Sequence, residues 1–294
     1  MIRVPRRGGS AEPAFILTGK RLEPGEEPRE GLGRQLTSHP QFARATANLF
    51  WSRLMGVGIV EPHDEFDLSR QNPQSLPEGW ALQPTHPRLL DALTSDFRRG
   101  NHSLKRLLGT ICRSSAYQLS SRFYGEWKES YTPYFARKFA RMLSSEELHD
   151  SIVLATERPG EFKFGDQTVG LAMKLGEPGG GDDVKHLMRT FGQSNRNNPA
   201  LPLTGSVLQP LVLMQSPVLN DRILAKDGSR VERVLKRYHE DEKVVDELFL
   251  ATLSRSPSEA EKKVATTALS RDRTAGAQNL QWALINCVEF LYNY

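Results

Sequence analysis

Three observations predict an all-α fold. Apolar residues recur at helical spacing through most of the chain, capping residues precede several of these runs, and the alternating pattern of strands is scarce. The 294 residues include 38% apolar and 25% charged residues, so the chain can bury a sizeable core without a disulfide or metal. We therefore expect an irregular domain of about ten helices with long loops and at most a minor hairpin.

The chain is expected to contain one helical domain behind an irregular lead-in. Residues 1–37 are rich in Gly, Pro, Arg and Glu and lack a sustained period, which is typical of a linker. The helical domain then covers residues 38–294, with sub-units 38–156 and 184–294 as a further option. The stretch between them contains three consecutive glycines and predicts a loop, with a short hairpin at Phe162–Thr168.

The first half of the domain contains three clear helix signals. One helix is expected between Ser38 and Gly56, where apolar residues recur every third or fourth position and glycine ends the run. Thr85 precedes a second helix that tolerates Pro87 in its first turn. Ser103 begins a third helix, whose leucines and isoleucine share one face.

Two helices are predicted to meet near Leu143. Thr132 followed by Pro133 indicates a cap and a preorganised first residue. The helix that follows would carry Phe135, Phe139 and Met142. Ser144 and Glu147 have the spacing of a capping box and predict the start of the next helix.

The same helical pattern recurs through the second half of the chain. Apolar runs with helical spacing begin at Val184, Val207, Val231 and Val244, after Ser256, and at Leu280. No period of about 20 to 50 residues repeats, which argues against a solenoid.

Catalytic signatures with fixed spacing are absent from the sequence. It contains no GxSxG, GxxxxGK[ST], HExxH or CxxCH motif, so we predict no cofactor in this chain. No segment offers the ~20 apolar residues of a membrane span. The basic start MIRVPRRGGS lacks the apolar region of a signal peptide, and we predict neither feature in this chain.

Two pairs of residues give a candidate metal site. Glu146 and His149, like Asp183 and His186, place a carboxylate and an imidazole one helical turn apart, as in di-metal helix bundles. Acidic residues near helix N-termini are also favoured by the helix dipole alone. We therefore predict no metal and keep these four residues as the candidate ligands.

Residues 57–84 form a long irregular excursion that can build a site. Asp64 and Glu65 lie within it, and His86 follows at a helix start close in sequence to Trp80. Carboxylates that converge in a cleft with an aromatic residue are typical of glycoside hydrolysis. A hydrolase acting on a polysaccharide or sulfated glycan is therefore one alternative, with Trp80 as a candidate ligand contact.

Aromatic residues cluster inside a basic stretch of the chain. Eight aromatic residues lie between Tyr117 and Phe139, and their packing into the core is the favoured interpretation. Polyanion binding by Arg122, Tyr124 and Trp127 is a second alternative, because cations interleaved with aromatic faces bind anionic chains. The net charge of +4 is too small to predict a specific nucleic-acid partner.

Seven stretches carry a resemblance to a known family. They are ANLFWSRLMGVGIVEPHDEF (47–66), THPRLLDALTSDF (85–97), LLGTICRSSAYQLSS (107–121), ARMLSSEELHDSI (140–152), FGQSNR (191–196), LFLATLSRSPSEAE (248–261) and LQWALINCVEFLYN (280–293). Together they resemble the C-terminal domain of unknown function 1553 of planctomycete-type secreted proteins. The resemblance runs from about Phe15 to the end.

This resemblance implies a context outside the cytoplasm. Members of the family usually follow a second domain of unknown function, and often also a c-type haem domain, behind an export signal. No activity is established for them. The resemblance implies a periplasmic or secreted location, and a c-type haem only in an upstream domain. It also implies a non-catalytic binding or assembly module whose partner is that upstream domain or a secreted protein, with a glycan as a further ligand.

The resemblance also singles out polar positions. Residues that match its recurrent polar or aromatic positions are Asn48, Trp51, Asp64, His86, Asp91, Ser114, Tyr117, Arg141, Glu146, Asp150, Arg196, Arg255, Asn286 and Glu289. We expect a structural polar network from seven of them, namely Asn48, Asp91, Arg141, Glu146, Asp150, Arg196 and Asn286. Glu146 and Asp150 are one helical turn apart, so Arg141 is expected to pair with one of them. Ser52 and Arg53 replace histidines that are frequent in the family, which argues against histidine chemistry near Trp51.

Overall fold

The computed structural model of the protein describes residues 14–164, 166–175, 179–194 and 205–293. It is mainly helical, which confirms the predicted fold class. The α-helices in these ranges are α1 (Pro28–Ser38), α2 (Pro40–Met55), α3 (Pro87–Arg99), α4 (Leu104–Cys112), α5 (Ser145–Thr156), α6 (Asp182–Thr190), α7 (Leu208–Gln215), α8 (Pro217–Arg222), α9 (Arg230–Arg237), α10 (Asp241–Leu253), α11 (Glu259–Arg271) and α12 (Arg273–Ile285). None of these helices has the length and apolarity that a membrane crossing requires.

The chain divides into two compact units. The first extends to Phe139, and the second covers Ala140–Asn293. The sequence placed the optional division later, between residues 156 and 184. The observed boundary lies earlier because Leu148 and Ile152 of α5 pack into the core cluster of the second unit.

The core of the first unit is built by α2, α3 and α4. Trp51 and Met55 of α2 are buried against Leu90 of α3 and Leu107 of α4. Each fully buried side chain of this size stabilises the fold by roughly 1.5–3 kcal/mol. Helix α2 buries Asn48 on the same face, so this core contains a polar group that needs hydrogen-bond partners.

Helix α1 corrects the prediction that residues 1–37 are irregular. The Glu27 carboxylate caps the helix by accepting hydrogen bonds from two first-turn amides, and Pro28 occupies the first helical position. Leu32 and Leu36 are 53% and 41% exposed. Because this helix buries few apolar side chains, apolar periodicity could not reveal it.

The helix predicted from Thr132 to Met142 is wrong. A 3₁₀ helix covers Glu129–Tyr134 and ends where Phe135 adopts a left-handed backbone with a φ of 49°. Phe135 is buried, and its ring lies 5.1 Å from the ring of Trp51. The chain leaves the helical path here in order to bury this ring.

Local capping organises the start of α5. Ser144 and Glu147 form the predicted capping box, in which each side chain bonds the other residue's backbone amide. This satisfies two N–H groups that the first turn cannot pair within the helix. Leu148 and Ile152 then lie one helical turn apart in the core.

The opposite end of α5 is held by side chains from distant helices. The buried Gln281 of α12 donates a 2.7 Å hydrogen bond from Nε2 to the carbonyl of Ala155. Arg230 of α9 donates to the same carbonyl at 2.7 Å and to that of Leu154 at 3.1 Å. Two helices from the C-terminal part of the chain therefore satisfy the last carbonyls of α5.

Strand content in the described ranges is small. The predicted hairpin is confirmed by β2 (Phe162–Phe164) and β3 (Gln167–Val169), which pair antiparallel. The antiparallel pair of β1 (Arg141–Met142) and β4 (Tyr292–Asn293) was not predicted. Two residues paired with a segment so distant in sequence leave no alternating pattern to detect.

Candidate functional site

Asn48 anchors the beginning of the irregular excursion. Its Nδ2 donates to the carbonyls of Val60 at 2.9 Å and His63 at 3.0 Å. Its Oδ1 accepts from the amides of Ile59 and Val60, both at 2.9 Å. The side chain is completely buried, and these four hydrogen bonds use its full hydrogen-bonding capacity.

A cavity of about 340 Å³ lies beside this anchor, which we call the Asp64 cavity. Its lining consists of Leu17, Leu36, His39, Gln41, Phe42, Ala45, Thr46, Leu49, His63 and Asp64. Asp64 is exposed. An apolar floor with a few polar side chains is typical of a small-molecule site, but neither Glu65 nor His86 lines this cavity.

The other residues of the hydrolase hypothesis lie in separate environments. His86 contacts the Thr85 hydroxyl through Nδ1 at 3.2 Å. Trp80 is 52% exposed and lies under the Arg70 guanidinium at 5.8 Å. Within the described ranges, no hydrogen bond or ion pair joins Asp64, Glu65 and His86. The hypothesis requires carboxylates that converge in one cleft, and of these three residues only Asp64 lines the Asp64 cavity.

Asp150 and His149 form a buried pair on α5. The Asp150 carboxylate accepts the amide hydrogens of Ala172 at 2.6 Å and Met173 at 2.9 Å, and so caps a short 3₁₀ helix. It also lies 2.9 Å from Nδ1 of His149, whose Nε2 is buried without a hydrogen-bond partner. Burial lowers the pKa of His149, and the hydrogen bond to Asp150 opposes this shift. The Asp150 carboxylate is therefore hydrogen-bonded to two backbone amides and one side chain of the protein itself.

Arg141 does not pair with Glu146 or Asp150 as expected. Its guanidinium forms a two-pronged ion pair with Glu147, with N–O distances of 2.7 and 2.8 Å. This pairing lowers the pKa of Glu147. Glu147 is the capping-box residue, so its carboxylate reaches back towards the helix N-terminus and meets Arg141. Glu146 instead accepts a 3.2 Å hydrogen bond from Gln193.

The remaining members of the expected network have local partners. Asp91 is exposed and forms an ion pair with Arg44 at 2.5 Å, so it is not part of a buried network. Asn286 donates to the carbonyl of Trp282 at 2.9 Å. Arg196 lies outside the described residues. The described members therefore brace individual turns and helix ends.

The four candidate metal ligands do not converge. His149 is buried beside Asp150, whereas Asp183 and His186 are exposed on α6. Among the residues that the structure describes, no group of three or more His, Cys, Asp or Glu side chains could hold a metal ion. Glu146 is held by Gln193.

Arg255 connects two carboxylates from separate segments. Its guanidinium contacts Glu289 at 2.6 and 2.8 Å and Glu261 at 2.8 and 3.0 Å. The pKa of Glu261 is lowered to about 2, mainly by the hydrogen bonds from Arg255. The resemblance marked Arg255 and Glu289, but sequence spacing gave no signal that these two residues meet.

A concave surface with a volume of about 550 Å³ lies between α11 and α12. This apolar groove is lined by Phe249, Ala260, Glu261, Val264, Ala265, Ala268, Gly276, Asn279, Leu280, Ala283 and Leu284. A Cβ on Gly276 would lie 2.8 Å from the carbonyl of Ala268, so glycine permits the close approach of the two helices. Sequence reasoning missed the groove, although its small residues are visible in α11 and α12.

Of the candidate polyanion-binding residues, Trp127 packs against other rings, whereas Tyr124 and Arg122 are exposed to solvent. Trp127 is half-buried, with its ring 5.2 Å from Phe123 and 5.9 Å from Tyr131. Tyr124 is 93% exposed, and Arg122 is also exposed. The segment therefore combines a packed aromatic cluster with side chains directed to water.

Comparisons with known proteins place the chain in a family. No curated protein and no solved structure matches it. The model of the family PSD1, described as proteins of unknown function (DUF1553), matches residues 28–174. This match covers half of the 294 residues, from α1 to the 3₁₀ helix capped by Asp150. The seven stretches of resemblance and this match lead to one conclusion: the chain belongs to the DUF1553 family.

Proposed function

We propose that the protein is a non-catalytic binding and assembly module of an exported multidomain protein, and that it docks an upstream domain of the same polypeptide. The apolar groove between α11 and α12 carries this proposal. Its lining consists mainly of alanine, valine, leucine and phenylalanine side chains. Apolar surface that stays in contact with water costs roughly 25 cal/mol per Å² relative to burial, so covering the groove would favour association.

The state of the polar residues supports a structural role. The side chain of Asn48 is saturated by backbone groups, and the carboxylate of Asp150 caps a neighbouring turn. Groups held in this way position the backbone, and general acid–base catalysis needs groups that can reach a substrate. The hydrogen bonding of Asn48 and Asp150 is therefore consistent with a structural role, as expected of a protein that acts through a docking surface.

The family resemblance supports export and a multidomain context. The sequence contains no CxxCH motif, so a c-type haem of a full-length protein would lie in another domain. We propose such an upstream domain as the docking partner. A domain in the same polypeptide is present at high effective concentration. Even a modest apolar surface is then sufficient for stable contact.

Photo-cross-linking in the full-length polypeptide tests the proposal. A benzophenone side chain is introduced in place of Val264, which is 72% exposed in the groove. The matched control carries it in place of Leu250, which is 56% exposed on α10 and outside the groove. We expect peptides of the upstream domain to be cross-linked from position 264 and not from position 250. Equal cross-linking from both positions, or none from position 264, would contradict docking.

The non-catalytic part has its own test. Sulfated and neutral polysaccharides are incubated with the protein and with Asp64→Asn and Glu65→Gln variants, and reducing ends are measured. We expect no release above background from any of the three proteins. Turnover by the wild type that is lost in Asp64→Asn would establish hydrolysis and overturn this part of the proposal.

A further inference from the structure

Residues 120–139, which we call the aromatic loop, form a loop whose two ends lie close together. The amide of Lys138 donates a 3.1 Å hydrogen bond to the carbonyl of Ser120, which brings the two ends together. Inside the loop, the rings of Phe123, Trp127 and Tyr131 are in mutual contact, with centroids 5.2–6.1 Å apart. Surface loops packed by their own side chains are frequently functional.

Arg137 occupies an unusual position in this loop. Its guanidinium lies over the Trp127 ring, 4.1 Å from the centroid, and 5.6 Å from the centroid of Phe139. The Nε atom is buried without a hydrogen-bond partner. In the described parts of the chain, no carboxylate lies within ion-pair distance of this side chain, although the residue is partly exposed. The buried Nε cannot reach an external ligand, but a partly exposed guanidinium that lies over an indole and forms no ion pair can accept an external anion at its exposed end.

Other donors surround the aromatic cluster. Arg122 and Lys128 are exposed on the loop, and among the described residues neither forms an ion pair. The tyrosines at 124 and 134 are 93% and 69% exposed, so their hydroxyls add neutral hydrogen-bond donors. Glu126 and Glu129 are the acidic residues of the loop, and they leave its charge positive.

The packing of the rings selects among anionic partners. Trp127 meets Phe123 and Tyr131 edge to face, at interplanar angles of 82° and 86°. One face of the indole is also covered by Arg137. Stacking of nucleic-acid bases needs free aromatic faces, and the Trp127 face under Arg137 is not free. Guanidinium and hydroxyl donors instead suit sulfate or carboxylate groups on a hydroxylated chain.

We propose that the aromatic loop binds an anionic polysaccharide and that Arg137, which lies over Trp127, donates hydrogen bonds to its sulfate or carboxylate groups. Arg122 and Lys128 contribute charge, and the exposed tyrosines contact sugar hydroxyls. This site lies in the first unit and does not depend on the docking groove between α11 and α12.

Calorimetric titration with a heparin hexasaccharide tests the site. We expect Arg137→Gln to weaken binding by about tenfold, since charge-assisted hydrogen bonds are lost. The matched control is Arg99→Gln, which removes the same charge from an exposed arginine on α3, and it should change affinity by less than about twofold. Arg137→Lys keeps the charge without the planar fork and should give an intermediate loss. Polygalacturonate, which carries only carboxylates, distinguishes the two oxyanions.

Several outcomes would overturn the proposal. An equal loss in Arg137→Gln and Arg99→Gln would show nonspecific attraction. Binding of an oligothymidylate that is at least as tight and has the same dependence on Arg137 would assign the loop to nucleic acid. Should Arg137→Gln lose its cooperative melt, the exposed Arg122→Gln variant decides: we expect a severalfold loss of affinity, and unchanged affinity would refute the site.

Discussion

Asn48 and Val60 exchange two hydrogen bonds, so that the side-chain amide of one residue mimics a strand partner for the backbone of the other. Nδ2 of Asn48 donates to the Val60 carbonyl, and Oδ1 accepts from the Val60 amide, both at 2.9 Å. Val60 and Asn48 are both completely buried. This exchange fixes the path by which the chain leaves α2 and enters the irregular excursion.

Replacing Asn48 with alanine should therefore be strongly destabilising. Asn48→Ala leaves two buried amides and two carbonyls without their partner, and we expect a loss of about 3 kcal/mol or more in the free energy of unfolding. Urea unfolding measures this change. Asn279→Ala, at an exposed position of α12, is the control and should stay within about 0.5 kcal/mol of the wild type. A similar small effect for Asn48→Ala would contradict the anchoring role.

Asp150→Ala should lower the melting temperature. The substitution removes the acceptor of two backbone amides at Ala172 and Met173, and a cost of about 2 kcal/mol corresponds to a decrease of about 4–8 °C. Differential scanning calorimetry measures the shift. Asp183→Ala removes an exposed carboxylate from the first turn of α6 and should change the melting temperature much less. An unchanged melt together with altered ligand binding would reassign Asp150 to a binding site.

His149 should make stability depend on pH near neutrality. Burial lowers its pKa in the folded protein below the ordinary value of 6.5. As the pH falls, the imidazole is therefore protonated in the unfolded chain before it is protonated in the folded protein. Its contribution is fully present above pH 6.5 and is lost as the pH falls below that value, until the folded protein is protonated as well. The slope cannot exceed about 1.4 kcal/mol per pH unit for one proton.

Unfolding free energies measured between pH 7.5 and 5 test this dependence. We expect His149→Gln to flatten the decline, because the titrating group is gone. His239→Gln removes an exposed histidine and should leave the decline unchanged. A decline of the same size in His149→Gln would assign it to other groups.

Local signals in the sequence predicted the elements that depend on local contacts. The capping box of Ser144 and Glu147 and the hairpin at Phe162–Thr168 are encoded within a few residues, and both predictions are confirmed. The helix predicted beyond Thr132 failed because burying Phe135 outweighs the local helical pattern. Pairings between distant segments, such as β1 with β4, have no local signature.

The candidate site residues also differ in how far the sequence alone could predict their contacts. The resemblance marked Asn48 and Asp150, and only the structure shows that their partners are backbone groups of other segments. Arg141 was expected beside Glu146 or Asp150, but helix phase alone could not show that the capping-box glutamate reaches back to it. Arg137 belongs to the basic stretch seen in the sequence, but its contact with the Trp127 ring is visible only in the structure.

The hydrogen bonds from Gln281 and Arg230 to the end of α5 decide where this chain can be truncated for expression. The family match stops at residue 174, yet α5, which lies before that point, receives its closing hydrogen bonds from α9 and α12. A fragment trimmed to the matched region would expose the apolar face and the last carbonyls of α5 to water. The segment that the family model matches is therefore shorter than the stretch of this chain that completes the hydrogen bonds of α5.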